Sequence, residues 1–524
     1  MTQSPPHLQC RLSDLVAALG VQAQGDDPWV HGLCTDSRRV RTGDAFLAVN
    51  GTRHRGYDYI ADAVRGGAVA VLLDAPPGQS LPVPAGVPLV AVAHLRERLG
   101  AVATRFYGDP SRHLRVVGVT GTNGKTTSTH LLAQALGVSS AAGVVGTLGH
   151  GIYRGGTLHP LEDATHTTPD AVTLQRLLSA MREAGSRHVC MEVSSHALVQ
   201  ERVKDVRIHT AVFTNLSRDH LDYHGDLESY AAGKRLLFAH PGIEQAVINT
   251  DDPVGRDLIA RIAQDVKIIS YSMGGESAAD VRAVSLRLEP DGLRMEVRSP
   301  WGPAELRSAL LGRFNAYNLL AAFSVLVGCG VRVEEAVARL GSARAVDGRA
   351  EVFESVSGGA RVVLDYAHTP DALENVLTAL REHSAGRLCC VFGCGGERDT
   401  GKRAMMGACA ERLADDVILT DDNPRGEDGD VIVQDILSGV RNPARVRIER
   451  RRERAIAEAV SRASPGDVVL IAGKGHETYQ EIGGKRVPFS DRAELMALGL
   501  RPISPQRQGV DPSAEAQNDL RRVG

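Results

Sequence analysis

The run Gly118-Val-Thr-Gly-Thr-Asn-Gly-Lys-Thr-Thr127 holds the residue types that bind a polyphosphate. It follows an apolar strand and opens a helix, the context that a phosphate-binding loop requires. Glycines let the backbone of Gly121, Thr122, Asn123 and Gly124 turn its N–H groups inward on phosphate oxygens. The helix N-terminus at Lys125, Thr126 and Thr127 adds partial positive charge; Lys125 can bridge the β- and γ-phosphates, and Thr126 can ligate Mg²⁺. The spacing departs from the general phosphate-loop pattern, because Thr120 stands where a glycine is usual. A glycine-rich turn without a ligand is the plainer alternative, and the strand-to-helix junction speaks against it. Further on, Glu192 ends an expected strand and His220 follows another. A carboxylate and an imidazole at the carboxyl edge of a parallel sheet could hold magnesium against ATP phosphates, although either alone is more often a hydrogen-bonded strand end. Lys234 reads by itself as a solvated lysine on an amphipathic helix, since an ammonium repels Mg²⁺.

The loop Thr120-Gly-Thr-Asn-Gly-Lys-Thr-Thr127 resembles that of the Mur ligases of bacterial cell-wall synthesis and their folylpolyglutamate synthetase relatives. Met191-Glu-Val-Ser-Ser-His196, Thr214-Asn-Leu-Ser-Arg-Asp-His-Leu-Asp-Tyr-His224 and Ala232-Gly-Lys234 resemble the family's metal-site and lysine motifs in their family order. Gly312-Arg-Phe-Asn-Ala-Tyr-Asn318, Gly348-Arg349, Asp365-Tyr-Ala-His368 and Asp421-Asp-Asn-Pro-Arg425 extend the match, which runs from about Thr35 to Arg492. The resemblance implies amide-bond formation coupled to cleavage of ATP to ADP and phosphate, through an acyl phosphate that an amine attacks. It implies Lys125, Glu192, His220 and Lys234 as catalytic groups, Lys234 being carbamylated and joining Thr126, Glu192 and His220 around Mg²⁺. It places Asn318 on the adenine side and Arg349 on the phosphates, with Asp365 and His368 nearby. A site built from two domains implies closure on binding, with water excluded from the acyl phosphate.

The same resemblance implies the substrates. Thr35-Asp-Ser37-Arg38 and Asn50-Gly-Thr52-Arg53-His54-Arg-Gly56 resemble the uridine-nucleotide end of the site in family members that add the third peptide residue, although short hydroxyl and Asx residues are also ordinary turn formers. His166, Thr167, Thr168, Ser194, Gln200 and Arg202 correspond to contacts with the muramoyl-dipeptide, for which the Arg202 fork suits a carboxylate or phosphate. The amine is the sharper inference. Meso-diaminopimelate is lysine carrying a second amino-acid head, so its selection needs an extra cation for the added carboxylate. Asp422-Asn423-Pro424-Arg425 matches the motif of diaminopimelate-adding members, with Arg425 on the distal carboxylate and Arg398, Gly473 and Glu477 completing the pocket. A surface turn ahead of a helix is the plain alternative for this segment. A folylpolyglutamate synthetase relative would lack the amino-terminal module and Asp-Asn-Pro-Arg, and both are present. A nucleotide-switched binding module would not need an amine to release ADP.

These motifs need sheets to carry them. From Arg115 onward short apolar runs (Val116-Val-Gly-Val, His188-Val-Cys-Met-Glu-Val, Ala211-Val-Phe, Ala246-Val-Ile) alternate with helical patterns, which predicts a parallel sheet covered on both faces. Alternating residues over 281–299 around Pro290-Asp-Gly predict a hairpin. A second series of apolar runs starts near Val346 and includes Val362, Leu388 to Phe392, Val417 and Val468. The expected fold class is therefore α/β with three domains: a small α/β UDP-muramoyl substrate domain over 1–93, a central parallel-sheet ATP-binding domain over 94–345, and a Rossmann-like amino-acid-binding domain over 346–503. The apolar-poor tail 504–524 is expected to be disordered.

Composition agrees with a small-molecule enzyme. The chain has 524 residues, enough for roughly three domains, and 60 Lys plus Arg against 63 Asp plus Glu leave a net charge of −3. There is no basic excess for a nucleic-acid backbone. The start lacks a signal peptide's cationic segment and apolar run, and no apolar stretch spans a bilayer, so a cytoplasmic protein without membrane insertion is expected, working as a monomer. Eight cysteines without a C-x-x-C pair or zinc spacing imply reduced thiols.

Overall fold

The computed structural model describes residues 8–503 apart from 18, 24, 51–54, 77–85, 275–277, 290 and 356–358. The expected substrate contacts Thr52, Arg53 and His54, and the tail 504–524, lie outside the described residues. The chain divides into two compact units, one of Met1–Leu286, Met295–Leu306 and Phe314–Ala343, the other of Arg287–Arg294, Arg307–Arg313 and Arg344–Gly524.

In the first unit a four-stranded sheet orders Gly32–Cys34, Asp44–Ala48, Ala70–Asp74 and Leu89–Val92, all parallel. Successive side chains of a strand point to opposite faces. Ala45 and Leu47 accordingly join one core with Leu12, Leu15, Leu95 and Phe106, while Phe46 and Ala48 join another with Ile60 and Ala63. The helix Leu95–Tyr107 buries Leu95, Leu99, Val102, Ala103 and Phe106 in the same core that takes Ala171 and Val172 from the helix Ala171–Glu183. This shared apolar packing holds the amino-terminal sheet and the larger sheet of that unit in one body.

The larger sheet has eleven strands, in the order Thr157–Glu162, Gly149–Arg154, Ala141–Gly146, Ser186–Glu192, Arg115–Thr120, Thr210–Phe213, Gln245–Asn249, Lys267–Ser272, Val281–Glu289, Gly292–Arg298, Ala304–Ser308. From Ala141–Gly146 to Lys267–Ser272 all pairs are parallel. The middle strands are buried almost throughout, which is why they read in the sequence as continuous apolar runs rather than alternations. The alternating residues after Val281 form the neighbouring strands Val281–Glu289 and Gly292–Arg298, as expected.

The second unit holds a seven-stranded sheet in the order Val446–Ile448, Asp416–Leu419, Leu388–Phe392, Val468–Ala472, Arg361–Asp365, Glu351–Ser355, Leu500–Pro502. The first five strands are parallel, Glu351–Ser355 runs against them, and Leu500–Pro502, antiparallel to Glu351–Ser355, runs with them again. Because Val468–Ala472 inserts beside Leu388–Phe392, three adjacent strands send out the turns that begin at Gly393, Thr420 and Gly473 from their carboxyl ends, where α/β sheets place ligands. A fully buried ion pair, Arg452–Asp491 at 2.7 Å, also ties Arg452 to the carbonyl of Ala472 at 2.9 Å and so fixes the end of that central strand. All eight cysteines are free thiols, and burial pushes the Cys190 and Cys390 thiols up from their ordinary value.

Candidate functional site

Four adjacent parallel strands of the first unit end at Gly146, Glu192, Thr120 and Phe213, so Thr147, Glu192, the Gly121–Lys125 loop and Thr214 lie along one carboxyl edge. The loop is cramped against its neighbours. A Cβ on Gly121, whose φ is +150°, would stand 1.8 Å from Thr214 Oγ1, and one on Gly124, at φ +83°, 2.4 Å from Asn318 Oδ1. Only glycine fits at either point. Asn215 braces the loop from the next strand: its carbonyl accepts from Thr122 N at 2.9 Å and its Oδ1 from Asn123 N at 2.9 Å. The helix Lys125–Leu136 then starts at Gly124 with its first N–H groups facing the loop. Lys125 Nζ donates to the carbonyls of Gly121 and Thr122, each at 2.8 Å.

Thr126 and Glu192 are brought together, the hydroxyl donating to Oε2 at 3.0 Å. The Glu192 carboxylate is 1% exposed and also accepts from Thr147 N at 2.8 Å, while a Cβ on Gly146 would stand 2.2 Å from Oε1. These hard oxygen donors, converging beside a phosphate loop, are the kind that suits Mg²⁺. Lys234, from the helix Leu227–Arg235, is 1% exposed rather than solvated. Its Nζ donates to the Gly121 carbonyl at 2.7 Å, the same oxygen that Lys125 uses, and lies 4.2 Å from the Tyr230 ring centroid. Burial, with the Lys125 ammonium adding to it, pulls the Lys234 amine well below its ordinary value. His220 is reached through the same tyrosine: its ring lies 6.0 Å from Tyr230 and 4.9 Å from His196. Its backbone is left-handed at φ +55°, and its Nε2 is 3.4 Å from Asp219. Among the described residues no three His, Cys, Asp or Glu side chains form a metal-holding group. The expected set contains two of these types, Glu192 and His220, the other donors being the Thr126 hydroxyl and a Lys234 turned anionic; of this set the structure brings Thr126 and Glu192 into direct contact.

The expected dipeptide contacts gather on the same edge. Thr168 Oγ1 donates to the Glu192 carbonyl at 2.9 Å and accepts from Ser194 N at 3.1 Å. Thr167 Oγ1 lies 3.1 Å from Thr147 Oγ1. Arg202 donates to the Thr168 carbonyl at 2.9 Å and through Nε to Gln200 Oε1 at 3.0 Å, and Gln200 in turn donates to the Tyr223 hydroxyl at 3.1 Å. His166 is exposed. Thr35 and Ser37 are half-buried around the short helix Ser37–Arg39, which Asp36 caps. Asn318, expected on the adenine side, is buried, accepting from Ser128 Oγ at 3.2 Å and donating to Asn315 at 3.1 Å, so it supports the start of the phosphate-loop helix.

In the second unit the three turns interlock. Asn423 Nδ2 donates to Glu477 Oε2 at 2.8 Å, and a Cβ on Gly473, at φ +111°, would stand 2.6 Å from Asp422 Oδ2. Pro424 is buried, and its carbonyl leaves no room for a Cβ on Gly396. Arg425 holds a left-handed φ of +54°, rare for a side chain of this kind, because its N donates to the Glu481 carbonyl at 2.9 Å. Its guanidinium donates to the Gly396 carbonyl at 2.7 Å and lies 3.6 Å from the Glu481 carboxylate. Arg398 is exposed on the neighbouring turn. Beside the Asp365–His368 turn, Arg349 stacks on the Tyr366 ring at 4.5 Å, with its buried Nε lacking a hydrogen-bond partner. Burial raises the Asp365 carboxyl, against the pull of Arg349 and of the Ala350 and Ala367 amides that it accepts at 2.7 and 2.8 Å. His368 Nδ1 lies 2.9 Å from the Tyr366 carbonyl.

Sequence reasoning missed Thr147, Asn215, Tyr230, Tyr366, Lys474 and His476. The first two had a readable signal, since each lies just past an apolar strand of the same sheet; the others show their value only through what they pack against. His476 is set by burial, with Arg349 and Lys474 adding to it, at about 4 against an ordinary 6.5. Its folded value lies below its unfolded one, so between about 6.5 and 4 the unfolded chain binds the extra proton and stability falls as pH drops through that window. The expected result is a His476 ring resonance that stays constant from pH 8 to about pH 5. His476→Gln should flatten the acid loss of stability in that interval; a midpoint near 6.5 in the folded protein would contradict this.

Three family descriptions match the chain in succession: "Mur ligase family, catalytic domain" over residues 29–107, "Mur ligase middle domain" over 119–326, and "Mur ligase, glutamate ligase domain" over 348–475. A UDP-N-acetylmuramoyl-L-alanyl-D-glutamate–2,6-diaminopimelate ligase of Alkalilimnicola ehrlichii is 50% identical over 485 residues, covering 90% of this chain and 96% of its own. One of Pseudomonas aeruginosa is 50% identical over 468 residues, covering 89% and 94%. A solved structure of a ligase with the same name superposes with a TM-score of 0.66 at 34% identity, covering 93% of this chain and 98% of the other.

Proposed function

The chain belongs to the Mur ligase family, and we propose that it joins meso-diaminopimelate to UDP-N-acetylmuramoyl-L-alanyl-D-glutamate at the cost of ATP, in the synthesis of peptidoglycan precursors. The observation that carries the amine assignment is the interlocking of the Asp422–Arg425 and Gly473–Glu477 turns, which puts a guanidinium and a carboxylate on one scaffold for an amino acid bearing charges at both ends.

A carboxylate resists amines because its oxygen leaves poorly, and phosphorylation corrects this. Phosphoryl transfer needs charge compensation and alignment more than covalent help from the protein. The Gly121–Gly124 amides and Lys125 would bind the triphosphate, Thr126 and Glu192 with His220 and carbamylated Lys234 would hold magnesium, and Arg202 would orient the dipeptide's acid. Bound there, Mg²⁺ supplies Lewis-acid stabilisation of the transferring phosphoryl group. The second step is attack by the amine, for which Glu477 would hold an ammonium and Arg425 the distal carboxylate. Arg349, stacked on Tyr366 with a free buried N–H, would take a phosphate oxygen. Domain limits of 1–93, 94–345 and 346–503, a monomeric state and a cytoplasmic location belong to this reading; no helix among the described residues is long and apolar enough to cross a membrane.

The test is phosphate release with UDP-muramoyl-dipeptide, ATP and a panel of diamino acids. Release that depends on meso-diaminopimelate is expected. Release without any amino acid, or equally with lysine and diaminopimelate, would overturn the reading.

A further inference from the structure

Lys474 is 0% exposed, yet it carries a charged head group into the turn between Ala472 and Tyr479. A buried ammonium persists only where it is paired and hydrogen-bonded. Its two partners are residues of the proposed amino-acid pocket: Nζ donates to Glu477 Oε2 at 2.7 Å and to Asn423 Oδ1 at 3.0 Å. The Tyr479 ring centroid, 5.8 Å from Nζ, closes another side. Glu477 Oε2 receives a second donor, Asn423 Nδ2 at 2.8 Å, and these bonds leave Oε1 of a side chain that is 18% exposed. Asn423 Oδ1 also accepts from Glu481 N at 2.9 Å, and the Glu481 carbonyl accepts from Arg425 N at 2.9 Å. A continuous set of hydrogen bonds thus runs from Lys474 through Glu477 and Asn423 to the backbone of Arg425.

We propose that Lys474 is the positioning residue of the amino-acid pocket, orienting Glu477 from behind so that its free oxygen faces the incoming ammonium, and holding Asn423 so that Arg425 keeps its left-handed turn. This rests on the assignment of Glu477 and Arg425 to diaminopimelate. Lys474 has no exposed surface with which to touch substrate, so its effect passes through these two partners. A lysine that merely filled the interior would not be aimed at both recognition turns at once.

The experiment compares Lys474→Met with wild type in steady-state assays that vary each of the three substrates separately, alongside thermal unfolding. KM for meso-diaminopimelate should rise about ten-fold or more, in line with the coupling of residues that share a hydrogen-bond network, while KM for ATP and for the UDP-muramoyl-dipeptide stays within about two-fold. In a Lys474→Ala protein n-propylammonium should refill the space and restore much of the affinity for diaminopimelate. Lys474→Gln keeps a donor for Asn423 but no charge, and should give the same selective rise if the methionine variant does not fold. An unchanged KM for diaminopimelate, an equal rise in all three, or failure of both variants to fold would make Lys474 a structural pin and overturn the proposal. Wild-type release of phosphate without a diamino acid would instead sink the underlying assignment.

Discussion

Lys234→Ala is expected to lower kcat by about 100-fold or more, the scale of losing one preorganised charge-stabilising group at a phosphoryl-transfer centre. The argument starts from position. A lysine 1% exposed, sharing one carbonyl oxygen with a second lysine, is badly placed as an ammonium. Burial and Lys125 both disfavour the charged amine, which leaves the neutral form that adds carbon dioxide. The product, once the nitrogen has lost a proton to water, is a carbamate anion, and the Lys125 cation that opposed an ammonium now attracts it. Wild-type enzyme stripped of dissolved carbon dioxide should lose activity and regain it with bicarbonate, and acetate should partly rescue Lys234→Ala by standing in for the carbamate. Full activity in the alanine variant, or indifference of the wild type to bicarbonate, would remove Lys234 from the mechanism. Thermal unfolding of the variant separates this loss from misfolding.

Arg425→Ala should cost about 2 to 5 kcal/mol in kcat/KM for meso-diaminopimelate, the range for truncating one partner of a buried charged pair. The guanidinium is 19% exposed and is held by the Gly396 carbonyl while lying 3.6 Å from Glu481, too far for a tight ion pair. It can therefore accept a substrate carboxylate without breaking a strong internal contact. Lysine has no distal carboxylate, so its kcat/KM should change far less, and the preference between the two amines should collapse. Arg425→Lys keeps the charge but loses the planar fork and should recover only part of the preference. Equal losses with both amines would contradict the recognition role and would point instead to a collapsed turn.

The phosphate loop was legible in the letters, because glycines and short polar residues follow an apolar run, whereas the metal-site motifs and the Asp-Asn-Pro-Arg turn stood out only through their resemblance to the family's motifs. A parallel strand buried on both faces must be apolar along its length, so strand positions were readable from local composition. Asn318 was readable as a motif residue, but not as the side chain that Gly124 and Ser128 press against. Thr147 gave a weaker signal, a hydroxyl just past a strand, and nothing local paired it with Glu192.

What the sequence determined by itself is which residue types end each strand, and hence the chemistry available: phosphate-binding amides, hard oxygen donors and a guanidinium at the Asp422–Arg425 turn. Only the tertiary structure decided their neighbours and their charge states. Strand order is not chain order, so Thr147, Glu192, Gly121 and Thr214 become adjacent through crossovers that no local pattern encodes. Lys234 reads locally as solvated and Lys474 drew no reading at all, yet both are buried because distant segments close over them. Burial, and with it the cost of holding a charge, is a property of the packed chain, whereas propensity and periodicity belong to a few neighbouring residues.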